Sequence, residues 1–133
     1  MFAPVARIET VRLMLALAAH GDWQVHHMDV KSAFLNGDLQ EHVYVHQPLG
    51  FTDTGLPGKV LKLNKAMYGL KQAPRAWNAR LDLELKAMGF QRSIVEHAVY
   101  KKGTRASLLL VGVYIDDLII CGPSSKLIAQ FKD

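Results

Sequence analysis

Leu108-Leu109-Leu110-Val111-Gly112-Val113-Tyr114-Ile115-Asp116-Asp117-Leu118-Ile119-Ile120-Cys121 is an apolar run interrupted once, by two adjacent carboxylates. Asp is almost never buried without a partner. The two apolar halves read as the arms of a β-hairpin, and a turn accounts readily for one Asp. It does not account for both, since Gly or Asn would make a better two-residue turn. The economical reading is that the tip of this hairpin presents two anionic ligands to a divalent cation.

Working outward, the central strands are apolar on both faces, which predicts burial under helices. Ile8, Val11, Leu15 and Ala18 recur at helical spacing and Gly21 is placed to stop that helix. Val25 to Val30 reads as a strand ending in Asp29, and Phe34-Leu35-Asn36-Gly37-Asp38 as a turn or short helical segment. His42 to His46 alternates like a strand; Pro48, Gly50, Gly55, Pro57 and Gly58 mark a loop; Lys59 to Asn64 is a short strand. Pro74 suits the first turn of a helix carrying Trp77, Leu81, Leu85 and Met88 to Gly89, with Asp82 and Lys86 paired on its wet side. Val99 to Lys101 is a further strand with a turn at Gly103-Thr104, and Ser124 or Ser125 caps a last helix bearing Leu127, Ile128 and Phe131. Helices mixed with a mostly antiparallel sheet make the class α+β.

The 133 residues suffice for one domain or part of one, and a hydrophobic content of 50% argues for a buried core rather than disorder. No repeats, low-complexity tracts or linkers divide the chain. No apolar run reaches the ~18–20 residues of a membrane span, and Met1-Phe2-Ala3-Pro4-Val5-Ala6-Arg7 has neither the basic start nor the apolar stretch of a signal peptide. The single cysteine, Cys121, reads as a small core hydrophobe, and an intracellular, reducing compartment is expected. The net charge of +4 is unevenly placed: Lys59 to Arg105 holds eleven basic and three acidic residues, a distribution suited to a polyanion or simply to a solvated basic surface.

Asp29 ends its strand much as Asp116 ends its own. If those strands are neighbours, three carboxylates meet and can bind two Mg²⁺ or Mn²⁺ ions ~3.5–4 Å apart, the arrangement used for in-line phosphoryl transfer. On composition alone the simpler reading is that Asp29 caps the turn into Lys31-Ser32. The six histidines lack a recognisable ligand spacing and read as incidental, with His26 and His27 on opposite faces of one strand.

Three blocks in order narrow this: Met28-Asp29-Val30-Lys31-Ser32-Ala33-Phe34-Leu35-Asn36-Gly37, Tyr68-Gly69-Leu70-Lys71-Gln72-Ala73-Pro74-Arg75-Ala76-Trp77, and Tyr114-Ile115-Asp116-Asp117. Together they closely resemble the reverse transcriptase of copia-type LTR retrotransposons, from about Phe2 to Lys132. The resemblance implies a polymerase palm, an antiparallel sheet packed on helices, with part of the fingers, as one partial domain over residues 1–133. It implies that Asp29 and Asp116 hold two metal ions, Mg²⁺ or Mn²⁺, with Asp117 as the more peripheral carboxylate and the Val30 carbonyl completing one oxygen shell. Phe34 would lie under the incoming sugar and exclude a 2′-hydroxyl. Tyr68, Gly69, Lys71, Gln72 and Arg75 would face the nucleotide or template, with Lys71 and Arg75 on phosphates. Pro74 would shape the backbone, Tyr114 would pack beside the primer end, and Trp77 would belong to the core.

The implied reaction is nucleotidyl transfer from deoxynucleotides to a primer 3′-hydroxyl. Implied partners are an RNA or DNA template, a DNA or tRNA primer and the rest of a Pol polyprotein; no membrane is implied, and the implied location is a cytoplasmic virus-like particle. Against the family's usual extent, the upstream fingers segment, the thumb and RNase H are expected to be missing. A catalytically incompetent remnant that binds nucleic acid or Mg²⁺ weakly is therefore an alternative. A nucleotide cyclase or nuclease on a similar palm is a third reading, disfavoured by the second block.

Overall fold

The computed structural model describes residues 3–133, so the Met1-Phe2 start of the N-terminal reading lies outside the described residues. Its centre is the hairpin of β6 (Leu109–Tyr114) and β7 (Asp117–Gly122). Strand β1 (Gln24–Asp29) pairs with the free edge of β7. Strand β5 (Val99–Lys102) flanks β6, and the two-residue β4 (Gln91–Arg92) closes the far edge. The order is β1-β7-β6-β5-β4, with every pair antiparallel. Strands β2 (Asp38–His46) and β3 (Val60–Lys65) form a separate two-stranded sheet.

Alternation along β6 and β7 divides their apolar residues between two faces. Val111, Val113, Leu118 and Ile120 are buried in one cluster with Trp77, Leu81 and Leu85 of α2 (Ala73–Ala87) and Ile128 of α3 (Ser125–Lys132). Cys121, with Leu110 and Ile119 beside it, meets Met14 and Ala18 of α1 (Ile8–His20) on the opposite face. Helices thus cover both sides of the central strands, and each fully buried aliphatic side chain contributes about 1.5–3 kcal/mol. The α+β class read from the sequence is the observed one. Among the described residues no helix is long and apolar enough to cross a membrane.

Several local expectations are corrected. In α1 the face turned inward is Met14 and Ala18, while Ile8 and Leu15 are 59% and 45% exposed. Strand β2 begins at Asp38 rather than His42, and Ala33–Asn36 forms a short 3-10 turn. The hairpin turn is centred on Ile115-Asp116, so that Asp116 lies beyond the end of β6 and Asp117 already belongs to β7. Asp82 is not on a wet side: only 17% of its side chain is accessible, and it joins Lys86 at 2.8 Å, Arg92 at 3.7 Å and the Tyr100 hydroxyl at 2.6 Å. Met88 lies half-exposed beyond α2 instead of in its buried stripe. Ser124 caps α3, accepting from the Leu127 N–H.

Candidate active site

The β1–β7 register sets Asp29 directly opposite Asp117. One residue further on, the Val30 N–H donates to the Asp116 carbonyl at 3.0 Å. All three carboxylate residues therefore stand at one end of the five-stranded sheet, although Asp29 is remote from the other two in sequence. The turn joining β6 to β7 places Ile115 at φ +56°, a left-handed conformation uncommon for a β-branched residue. Trp77 of α2 holds that turn: its Nε1–H donates to the Ile115 carbonyl at 3.0 Å. Close approach of α2 is also required at Gly37, where a Cβ would come within 2.8 Å of the Trp77 nitrogen.

Each hairpin carboxylate has a side-chain partner. The Tyr68 hydroxyl donates to Asp116 Oδ2 at 3.2 Å. Desolvation, then the hydrogen bond to Asp116 and the negative charges of Asp116 and Asp29, push the Tyr68 phenol above its ordinary value. His27 Nε2 lies 2.8 Å from Asp117 Oδ1. An ionised carboxylate only accepts, so Nε2 carries the proton in this pair. His27 is thus the exception to the reading of the histidines as incidental. The period-two alternation of β1, which puts residues 27 and 29 on one face, is the signal that could have found it.

Phe34 is 7% exposed, and the Tyr68 ring lies over it with centroids 4.3 Å apart and planes tilted by 35°. Tyr68 and Gly69 occupy the centre of a tight turn, in which the Leu70 N–H donates to the Met67 carbonyl and Gly69 takes φ +96°. Gly at the third position with positive φ is the type II pattern. Lys71 is exposed and makes no ion pair among the described residues. Gln72 stands at the start of α2, its carbonyl accepting from the Ala76 N–H, and Pro74 lies in the first turn. Arg75 is ion-paired with Glu41. Tyr114 is half-exposed at the end of β6. Trp77 is buried, as read, with its bond to Ile115 an addition that periodicity could not supply.

Among the described residues no group of three His, Cys, Asp or Glu side chains is gathered to hold a metal ion. Asp116 is turned to Tyr68 and Asp117 to His27. In donor chemistry the end of the sheet nevertheless suits a hard divalent cation, because carboxylates and main-chain carbonyls are the oxygen ligands that Mg²⁺ and Mn²⁺ take.

Compared with known families, residues 1–133 match the one described as reverse transcriptase (RNA-dependent DNA polymerase). The chain belongs to that family. It is 41% identical over 133 residues to the retrovirus-related Pol polyprotein from transposon TNT 1-94 of Nicotiana tabacum, covering 99% of this chain and 10% of the relative. It is 39% identical over 132 residues to the corresponding polyprotein from transposon RE2 of Arabidopsis thaliana, covering 99% of this chain and 9% of the relative. A putative transposon Ty5-1 protein of Saccharomyces cerevisiae is 43% identical over 105 residues, 79% of this chain and 34% of that protein. The chain thus spans about a tenth of the length of the two plant polyproteins. No solved structure matches it. The family resemblance read from the three sequence blocks is borne out.

Proposed function

We propose that residues 1–133 form one partial domain, a polymerase palm with adjoining fingers, that contributes the carboxylates of RNA-directed DNA synthesis in a copia-type Pol polyprotein. The observation that carries this reading is the register of β1 on β7, which sets Asp29 opposite Asp117 with Asp116 adjacent. The carboxylates of Asp29, Asp116 and Asp117 and the Val30 carbonyl would hold two Mg²⁺ or Mn²⁺ ions. Ions so bound supply Lewis-acid activation of a primer 3′-hydroxyl and neutralise charge on the pyrophosphate leaving group.

The chain's own side chains act around that chemistry. Phe34 bounds the space for the deoxyribose and leaves no room for a 2′-hydroxyl. Lys71, which makes no ion pair among the described residues, contacts phosphate, and Tyr68, Gly69 and Gln72 line the nucleotide side. Pro74 and Trp77 fix the backbone at the start of α2, and through Ile115 Trp77 fixes the carboxylate turn. Tyr114 flanks the primer end. Arg75 reaches a phosphate only by exchanging Glu41 for it. The partners are an RNA or DNA template, a DNA or tRNA primer, deoxynucleotides and the remainder of the polyprotein, within a cytoplasmic virus-like particle.

RNA-templated primer extension with deoxynucleotides and Mg²⁺ tests this reading. Extension is expected from the wild type and is expected to vanish in Asp29→Asn and Asp116→Asn variants. Near-normal extension by Asp116→Asn would remove these roles. One observation favours a second reading, a remnant that binds nucleic acid or Mg²⁺ without synthesis. Asp116 and Asp117 are turned to Tyr68 and His27 rather than to a shared centre. Salt-sensitive binding with no extension by the wild type is the outcome that selects it.

A further inference from the structure

Tyr68 touches both parts of the site that a reaction would need. Its hydroxyl occupies Oδ2 of Asp116 at 3.2 Å, and its ring covers Phe34 at 4.3 Å between centroids. The two contacts belong to one rigid phenol, so they are made or broken together. Tyr68 is also not a core residue: it is 51% exposed, at the second position of the Met67–Leu70 turn. Beside it, a Cβ added at Gly69 would meet nothing within 4 Å, so the outer side of the turn is open. Tyr68 itself is not a member of the buried cluster that includes Phe34. The bond to Asp116 is partly solvated and modest, a latch that a competing ligand can displace.

We infer that Tyr68 is a positioning residue that holds the site closed, keeping Asp116 from a cation and Phe34 from a sugar until its ring swings out. This rests on the proposed role of the carboxylates in binding divalent metal. The hydroxyl sets the first restraint and the ring the second, so the two separate by substitution. Tyr68→Phe removes the bond to Asp116 and keeps the cover on Phe34. Tyr68→Ala removes both.

The test is titration of the chain with Mn²⁺, followed by the paramagnetic resonance signal of the free ion, with a fluorescent deoxynucleoside triphosphate as a second probe. Tyr68→Phe is expected to bind Mn²⁺ roughly threefold to tenfold more tightly than the wild type, the effect of one lost competing hydrogen bond. Tyr44→Phe, on the separate β2–β3 sheet and outside the proposed site, is expected to match the wild type. Tyr68→Ala is expected to gain the same factor for Mn²⁺ and, unlike Tyr68→Phe, a further gain for the nucleotide probe measured at saturating Mn²⁺. Equal Mn²⁺ affinity in the wild type and Tyr68→Phe would overturn the latch while leaving the carboxylate reading standing. Equal nucleotide affinity in the Phe and Ala variants would overturn the cover. If neither the wild type nor any Tyr68 variant binds Mn²⁺ more tightly than Asp116→Asn, both the latch and the carboxylate reading fall.

Discussion

Ile115 holds the least favourable backbone conformation of the carboxylate turn. A left-handed φ costs an L-residue about 1–2 kcal/mol, and a β-branched side chain adapts to it poorly. It persists because the surroundings over-determine it: Trp77 donates to its carbonyl, and the turn is closed by the paired strand residues Tyr114 and Asp117. Trp77→Phe retains an aromatic ring but leaves that carbonyl without its donor. Chemical denaturation is expected to show a loss of about 1–3 kcal/mol, more where the smaller ring leaves a void. Asp82 gives a second residue-scale prediction. Burial pushes its carboxyl up, but hydrogen bonds from Lys86 and Tyr100 and the charges of Lys86 and Arg92 outweigh that and hold it below its ordinary 3.8. A folded value below the unfolded one means stability that is present above pH 3.8 and is lost as pH falls through the folded value. Acid titration of Tm is therefore expected to show a shallower fall below pH ~4 in Asp82→Asn than in the wild type.

Among the elements, α2 was legible because Pro74 and the Trp77, Leu81, Leu85 spacing agree on both its start and its inward face. The phase of α1 was not. Leu13 to Ala19 are seven consecutive apolar residues, so several faces satisfy the helical period, and contact with Cys121 selects Met14 and Ala18. Strand β4 is two residues long and too short to carry any period. The approach of α2 to the segment after β1 was equally invisible, because it depends on what Gly37 lacks. A Cβ there would lie 2.8 Å from the Trp77 nitrogen and 2.9 Å from the Ala76 carbonyl carbon, both backbone atoms that cannot rotate away. Gly37→Ala is expected to destabilise the fold by about 1–3 kcal/mol, the cost of overpacking, with a measurable loss in denaturant midpoint at unchanged m-value.

Over the whole molecule, the basic surplus between Lys59 and Arg105 divides into two populations. Lys65, Arg75 and Arg80 form exposed ion pairs with acidic neighbours, which stabilise little, whereas Lys86 and Arg92 pair with the largely buried Asp82. Lys59, Lys62, Lys71, Lys101, Lys102 and Arg105 make no ion pair among the described residues. Of these, Lys71 follows the Tyr68 turn, whereas Lys101 and Lys102 pair with Leu110 and Leu109, at the end of β6 remote from the carboxylates. On the proposed function, binding of a template–primer duplex is expected to weaken in Lys71→Ala, with the log–log salt slope reduced by about one unit. A Lys101→Ala, Lys102→Ala double variant is expected to keep the wild-type slope; a larger change there than at Lys71 would place the duplex on the wrong end of the sheet.

What the amino-acid order determined by itself was local: an apolar hairpin broken by carboxylates, an amphipathic α2, a serine cap at Ser124 or Ser125, and three motif blocks that identify the family. These depend on periodicity and on residue chemistry within a few positions, and both are printed in the chain. Only the tertiary structure decided that Asp29 faces Asp117, that His27 and Tyr68 occupy the two hairpin carboxylates, and that Arg75 is bound to Glu41. Strand register and side-chain partnership between distant segments follow from which edges meet and at what offset, and a linear pattern does not encode that offset.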